Sequence, residues 1–322
     1  MNSATQQRGA ALLTAMLTVT LVASFAATAL WQQFRSVEVE RAERERVQAT
    51  WILNGALDWA RLILREDARS GGADSLSEPW AVPLAESRLS SFLAADRNNT
   101  DDDTSDIFLS GQIVDAQSRL NVANLLDGGK PSQLGLQSFA RLFQVLGLPE
   151  GELNLLANNF QLAMTSTGGG GNAPLRPLRT DQLIWLGIAP ETLARLKPFI
   201  VLLPSNTPVN LNTAGVEVVY ACIPSISMAE ARKLVEQRTK TPFRSLSEVG
   251  IFMVEVAGLL TESQQSVSSR MFEVYGRLRI DKTVIQELSL VERENLNVTA
   301  LYRERSAFVD NPAVASADST LK

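Results

Sequence analysis

The chain has 322 residues, with 30 Lys and Arg against 35 Asp and Glu and a net charge of −5. That balance leaves no electrostatic footprint for nucleic acid. The sequence contains no histidine, which excludes Ser-His-Asp and Cys-His catalysis and imidazole metal sites. Cys222 is the only cysteine, so no internal disulfide forms; in an apolar helical stretch it is expected to be a buried structural thiol. A chain of this length suggests two compact units plus a helix.

Residues 9–34 carry no charged side chain. About twenty apolar residues cross a bilayer core as a helix, and residues 10–31 meet that length. Thr14, Thr18, Thr20, Ser24 and Thr28 are its hydroxyls, tolerable in lipid where each can return a hydrogen bond to a carbonyl one turn back. Trp31 closes the run as an interfacial aromatic does. A secretory signal or a simple anchor is the plain reading of such a run. A secretory signal, however, has a shorter apolar region that ends at a cleavage site, whereas here the helical pattern continues. Val47, Trp51, Ile52, Leu53, Ala56, Leu57, Trp59, Ala60, Ile63 and Leu64 recur at three- and four-residue spacings. One helix from Ala10 to Glu66 would measure about 85 Å. Its first part is lipid-soluble; its continuation over 32–66 is amphipathic and is expected to pack on a soluble domain.

A short polar leader ending in Arg8-Gly9, an apolar helix directly after the glycine and an amphipathic continuation resemble a type IV pilin-like precursor. The resemblance implies that residues 1–9 are a leader, that a prepilin peptidase cuts between Gly9 and Ala10, and that Ala10 becomes an N-methylated terminus. It also implies a Glu at the fifth mature position, where this chain has Thr14. A carboxylate in lipid persists only when paired. In such assemblies its partner is the amine of the subunit above, so a subunit with Thr14 is suited to having none above it. The large K-type minor pseudopilins of type II secretion share this departure and occupy the filament tip.

After the helix the chain loosens at Arg69-Ser70-Gly71-Gly72, and residues 79–84 read as an extended, partly buried connection. Residues 98–106 form a polar, acidic loop. It reads as a solvated turn, with Asp101, Asp102, Asp103 and Asp106 as candidate ligands for a hard cation. Residues 107–114 alternate as a half-buried strand. Asp115, Arg119, Leu120, Asn121 and Asn124 then resemble a K-type stretch, and the Asx side chains are expected to hold turns through the local backbone.

A helical block is expected over 131–263, with Phe139, Leu142, Phe143 and Leu146 on one face. A second helix opens at Pro149 and carries Leu153, Leu156, Ala157 and Phe160. The four glycines 168–171 lack a Gly-Lys-Ser/Thr ending and read as a mobile loop rather than a phosphate cradle. The K-type family usually carries an acidic calcium-binding stretch here, but residues 161–180 contain no acidic residue, so no cofactor is expected; calcium is the one the family would imply.

Residues 203–249 resemble both the K-type helical domain and a helix-hairpin-helix. Asn212 or Thr213 is expected to cap a helix through Cys222, and Ser227 with Glu230 to form a capping box; Ser245 with Glu248 repeats the spacing. Hairpins of this kind that bind DNA use Gly-x-Gly. The equivalent here is Ser225-Ile226-Ser227, and Arg232, Lys233, Arg238, Lys240 and Arg244 are offset by Glu230, Glu236 and Glu248. A structural use is favoured. Strands are expected over 271–280, 283–292 and 298–302, with a turn at Asp281-Lys282. Phe272, Val274, Leu278 and Ile280 should face one way, Glu273, Tyr275, Arg277 and Arg279 the other. Residues 306–322, small and polar from Asn311, are expected to be disordered.

The fold class expected is α+β. A long N-terminal transmembrane and amphipathic helix packs on a small antiparallel, pilin-like sheet (67–130 and 264–305), and a large all-α domain (131–263) is inserted between strands. The resemblance implies a structural, non-enzymatic minor pseudopilin that joins I-type and J-type minor pseudopilins in the tip complex initiating the pseudopilus. The major pseudopilin, the prepilin peptidase, the inner-membrane secretion assembly and exported proteins are the further partners it implies. It places the protein as a single-pass component of the bacterial inner membrane with a periplasmic domain. The alternative is a membrane-anchored DNA-binding protein of the competence type.

Overall fold

In a computed structural model, the structure describes residues 4–89, 107–166, 173–280 and 283–309. The chain divides into two units, residues 1–55 and 56–322. The first is helical throughout its described length. Helix α1 spans Ala4–Ser70 and is, among the described residues, the one helix long and apolar enough to cross a membrane. Leu12, Leu17, Val22, Phe25 and Phe34 lie exposed along it, as a lipid-facing surface requires. All five hydroxyls bond back to the preceding turn, Thr28 Oγ1 to Ser24 O at 2.8 Å for example. Beyond Phe34 the helix turns polar and carries Arg41–Glu45 and Glu40–Arg44 pairs one turn apart.

The second unit is built on an antiparallel sheet of order β1-β2-β9-β10-β11. Its strands are β1 (Leu84–Arg88), β2 (Ile107–Asp115), β9 (Met271–Ile280), β10 (Thr283–Glu294) and β11 (Asn297–Val309). Two-residue bridges supply the intervening numbers: β3 (Leu120–Asn121) with β6 (Ile200–Val201), β4 (Leu126–Asp127) with β5 (Lys130–Pro131), and β7 (Val209–Asn210) with β8 (Gln265–Ser266). Strands β2 and β9 are neighbours, Asp115 opposite Phe272. The chain between them forms helices α2 (Gln133–Leu146), α3 (Glu150–Thr165), α4 (Pro190–Leu196), α5 (Val216–Cys222), α6 (Met228–Lys240) and α7 (Leu246–Phe252). Helices thus sit between strands that pair, and the expected fold class holds.

Two cores follow. Leu57, Ala60 and Leu64 of α1 pack with Trp80, Phe272, Val274, Val291 and Val298 under the sheet. Trp80 meets Phe272 edge-on at 5.3 Å. The helical core gathers Phe139, Leu142, Phe143, Leu156, Phe160 and Leu234, among others. Both helix faces read from the periodicity are there, with Leu146 only partly buried. Close packing at this core depends on a glycine. A Cβ on Gly135 in the first turn of α2 would lie 1.9 Å from Asn124 O.

Several expectations are corrected. The buried stripe of α1 runs through Leu53, Leu57, Ala60 and Leu64, while Val47, Trp51 and Trp59 lie exposed, because only one side of a helix can face a sheet. Residues 79–81 form a 3-10 turn, not an extended run, with Trp80 buried. Pro149 is the N-cap of α3 rather than its first residue. Asn212 and Thr213 cap nothing: α5 starts after Gly215, and both side chains are held by long-range bonds. The Ser227–Glu230 capping box forms. At α7, Ser245 accepts from Glu248 N, but Glu248 accepts from Arg244 N instead of closing the box. Glu273 lies on the outer face of β9 yet is buried against Arg119 at 2.7 Å. The tail expected to be disordered from 306 begins inside β11, where Ser306 pairs with Gln286 and Val309 with Thr283. Residues 310–322, the glycines 168–171 and the turn at Asp281-Lys282 lie outside the described residues.

Replacing Gly135 by Ala forces α2 away from Asn124. We expect a loss of about 1–3 kcal/mol, read by urea unfolding of the detergent-solubilised chain; unchanged stability would refute the close approach.

Candidate functional site

Two places carry what the sequence singled out. The first is the start of α1. Gly9 and Ala10 lie within the helix, and Ala10 is exposed. Thr14 donates its hydroxyl within reach of Ala10 O at 3.1 Å and Ala11 O at 2.9 Å, so it offers its own backbone a partner and no charge.

The second is the root of the helical insertion. Asp115 ends β2 and is buried. Its Oδ1 accepts from Gln117 N at 2.8 Å. Its Oδ2 accepts from Thr213 Oγ1 at 2.5 Å, Ser269 Oγ at 2.7 Å and Asn210 Nδ2 at 3.0 Å. Burial raises its pKa against the pull of these donors. Asn121 uses both ends of its amide. Oδ1 accepts from Ala123 N and Leu203 N, and Nδ2 donates to Ser205 O and Thr207 Oγ1. Asn124 exchanges bonds with both backbone groups of Thr207. Asn212 does the same with Phe243. Gln117 reaches Pro208 O through Nε2 and accepts from Arg270 N and Met271 N. The turn-holding role expected of the Asx residues is present at Asp115 and Asn121, whereas Asn124 bonds the distant Thr207 backbone instead. All three tie the chain near 115–124 to the chain near 203–213.

Sequence reading missed the other half of this root. Asp74, just after α1, accepts from Ser269 N at 2.6 Å and from Arg293 Nη2 at 2.5 Å. Arg293 Nη1 reaches Asp67 on the last turn of α1 at 2.6 Å, and its guanidinium lies 4.8 Å over Phe272. Asn210 Nδ2 also touches Asp74 O at 3.2 Å. The one available signal was the paired Asn of Val209-Asn210-Leu211-Asn212, which repeats the apolar–Asn pattern of Leu120-Asn121-Val122-Ala123-Asn124. In both, the first Asn accepts from the backbone N two residues on. Burial lifts Asp74 to about 6 from 3.8, with Arg293 opposing.

Metal binding finds no fit here. Asp67, Asp74 and Glu78 bring carboxylate oxygens within 4.8 Å of one another. Arg293 occupies Asp67 and Asp74, while Trp80 Nε1 and Ser75 N bond Glu78. Residues 161–180 contain no Asp or Glu, so they offer calcium no carboxylate. Asp101, Asp102, Asp103 and Asp106 lie outside the described residues. Cys222 is buried and its thiol is pushed up to about 12 by burial, as a structural thiol should be. In the hairpin, Ser225 takes a left-handed φ of 62°, and Ile226 is buried. Arg238 is buried and donates to Leu211 O, so it leaves the cluster of basic side chains considered for DNA.

A membrane-length helix whose end packs on an antiparallel sheet, with a helical insertion between paired strands, is the pilin-like architecture expected from the sequence. Residues 209–266 match the family model of type II secretion system protein K. Type II secretion system protein K of Pseudomonas aeruginosa is 25% identical, with 92% of this chain and 89% of that protein aligned. The protein of the same description from Pectobacterium carotovorum is 23% identical, with 94% and 98% aligned. Among solved structures, a chain of the GspK-GspI-GspJ complex of the type 2 secretion system of enterotoxigenic Escherichia coli matches with a TM-score of 0.63. It shares 18% identity and covers 83% of this chain and 98% of that one. The resemblance to the K-type minor pseudopilins of type II secretion is thus upheld, and nothing supports DNA binding.

Asp74 has a folded pKa above its ordinary value, so between about 6 and 3.8 the folded state binds the extra proton. Its contribution to stability therefore grows as pH falls through that window. The stability of the native chain relative to Asp74→Asn should shift in favour of the native chain by on the order of 1–3 kcal/mol between pH 7 and 4.5. Urea unfolding followed by tryptophan fluorescence reads it. A shift the other way would mean that Arg293 governs Asp74.

Proposed function

We infer that this protein is a K-type minor pseudopilin that joins I-type and J-type minor pseudopilins in the tip complex initiating the pseudopilus. The observation that carries the reading is the pairing of β2 with β9 around the helical insertion, on a sheet rooted at the end of a membrane-length helix. Family likeness over nearly the whole chain supports it. The complex in which the structural relative was solved supports the choice of partners. The major pseudopilin, the prepilin peptidase and the inner-membrane secretion assembly are the further partners proposed, with exported proteins meeting the helical domain at the tip.

In this reading the protein is a structural component and a peptidase substrate rather than an enzyme. The lack of histidine and a thiol pushed up to about 12 by burial support that choice. The helix crosses the inner membrane once, the second unit lies in the periplasm, and the peptidase cuts between Gly9 and Ala10 and methylates Ala10. Thr14 gives a subunit above it no carboxylate for its terminal amine. The proposed domains keep the sheet-forming halves, 67–130 and 264–305, on either side of a helical domain at 131–263.

Mass measurement of the protein from cells with and without a prepilin peptidase tests the processing. A chain beginning at methylated Ala10 is expected with the peptidase, and an intact Met1 would undo the assignment. Thr14→Glu restores the carboxylate, and we expect it to reduce secretion by permitting addition above the tip. Co-purification of the native chain with I-type and J-type subunits is expected in the same cells; its failure would remove the tip role.

A further inference from the structure

Helix α1 is held in three different ways along its length. Residues 10–34 carry no charge and suit lipid, where a broken backbone hydrogen bond finds no water to replace it. From Ala49 onward packing holds the helix. Ala49, Leu53, Leu57, Ala60 and Leu64 are buried, Arg61 Nε donates to Val298 O at 2.8 Å, and Asp67 accepts from Arg293. Between these parts, none of residues 35–48 is buried. They make about 21 Å of helix. Arg35, Arg41, Arg44 and Arg46 balance Glu38, Glu40, Glu43 and Glu45, so the stretch has no net charge. Glu40–Arg44 and Arg41–Glu45 pair at 2.9 Å and Glu43–Arg46 at 3.9 Å, all within the helix. Exposed pairs of this kind are weak and screened by salt, and Arg41–Glu45 has the less favourable order, base before acid. Val37, Val39 and Val47 are more than half exposed, so their β-branched side chains lower helix propensity without the return of burial. Ser36 Oγ bonds back to Gln32 O at 2.9 Å, a contact that bends helices. A helix polar on all sides and backed by such pairs is the part that opens first.

We propose that residues 35–48 are a flexible coupling in the stem, a stretch that opens locally while the helix on either side stays intact. A stem that opens here changes direction without breaking a hydrogen bond in lipid or a contact in the core beneath the sheet. The coupling responds to ionic strength, because salt screens each pair and leaves the backbone alone to hold the turns.

Hydrogen exchange of the full chain in detergent micelles, read by mass spectrometry, tests this. Amides of residues 37–47 should exchange on the order of a hundredfold faster than those of 53–64. Raising NaCl from about 20 mM to about 1 M should speed the first group about fivefold relative to the second. Glu40→Gln combined with Arg44→Gln removes one pair; it should speed exchange at low salt about twofold and weaken the salt response. Val37→Ala combined with Val39→Ala should slow exchange at both salt concentrations. Protection equal to that of 53–64, or exchange indifferent to salt, overturns the proposal. Protection that rises with protein concentration would show a second copy covering the segment and overturn it equally.

Discussion

The second unit turns on one buried carboxylate. Asp115 stands at the end of β2, where the chain leaves the sheet, and collects four donors from Gln117, Asn210, Thr213 and Ser269. Those donors come from the start of the insertion, from its far side and from the strand-like return into β9. A buried carboxylate without such partners costs several kcal/mol, so each donor's backbone is held where it can reach. The same logic runs through Asn121, Asn124 and Asn212, whose amides satisfy backbone groups that no regular ladder reaches. Helices inserted between two paired strands need such a seam, because the two-residue bridges around them form separate pairs and do not extend the five-stranded sheet.

Arg293 extends the seam to the end of α1. Its two nitrogens join Asp67 on the helix to Asp74 beyond it, while its face covers Phe272. The aromatic is thus shared between the apolar core beneath the sheet and the polar root of the insertion. One charge-assisted bond to each carboxylate ties the last turn of α1 to the chain that follows it.

The electrostatics of the sheet differ from face to face. Glu287 is buried and held between Arg303 and Arg305; burial raises its pKa, but the two arginines outweigh it and hold it below the usual range. On the opposite face Glu273 pairs with Arg119 and accepts from Tyr275. Alternation along β9 put Glu273, Tyr275, Arg277 and Arg279 on one face, and the register with β10 keeps them there. The pattern could not show that the insertion folds back to place Arg119 over them, because that contact joins residues far apart in sequence.

The sequence by itself determined the elements whose cause is local. The uncharged run of α1, its hydroxyls bonded one turn back, the α2 and α3 faces, the Ser227 capping box and the strands beginning at Ile107, Met271 and Thr283 all follow from spacing and side-chain type. Tertiary structure alone decided which stripe of α1 is covered, why Asn212 and Thr213 serve distant backbone instead of a helix cap, and why β11 continues to Val309. It also brought Asp74, Asp115, Ser269 and Arg293 together. The physical reason is the same in each case. Local hydrogen bonding and periodicity are written in neighbouring residues, whereas the partner of a buried charge is chosen by the fold that removes it from water.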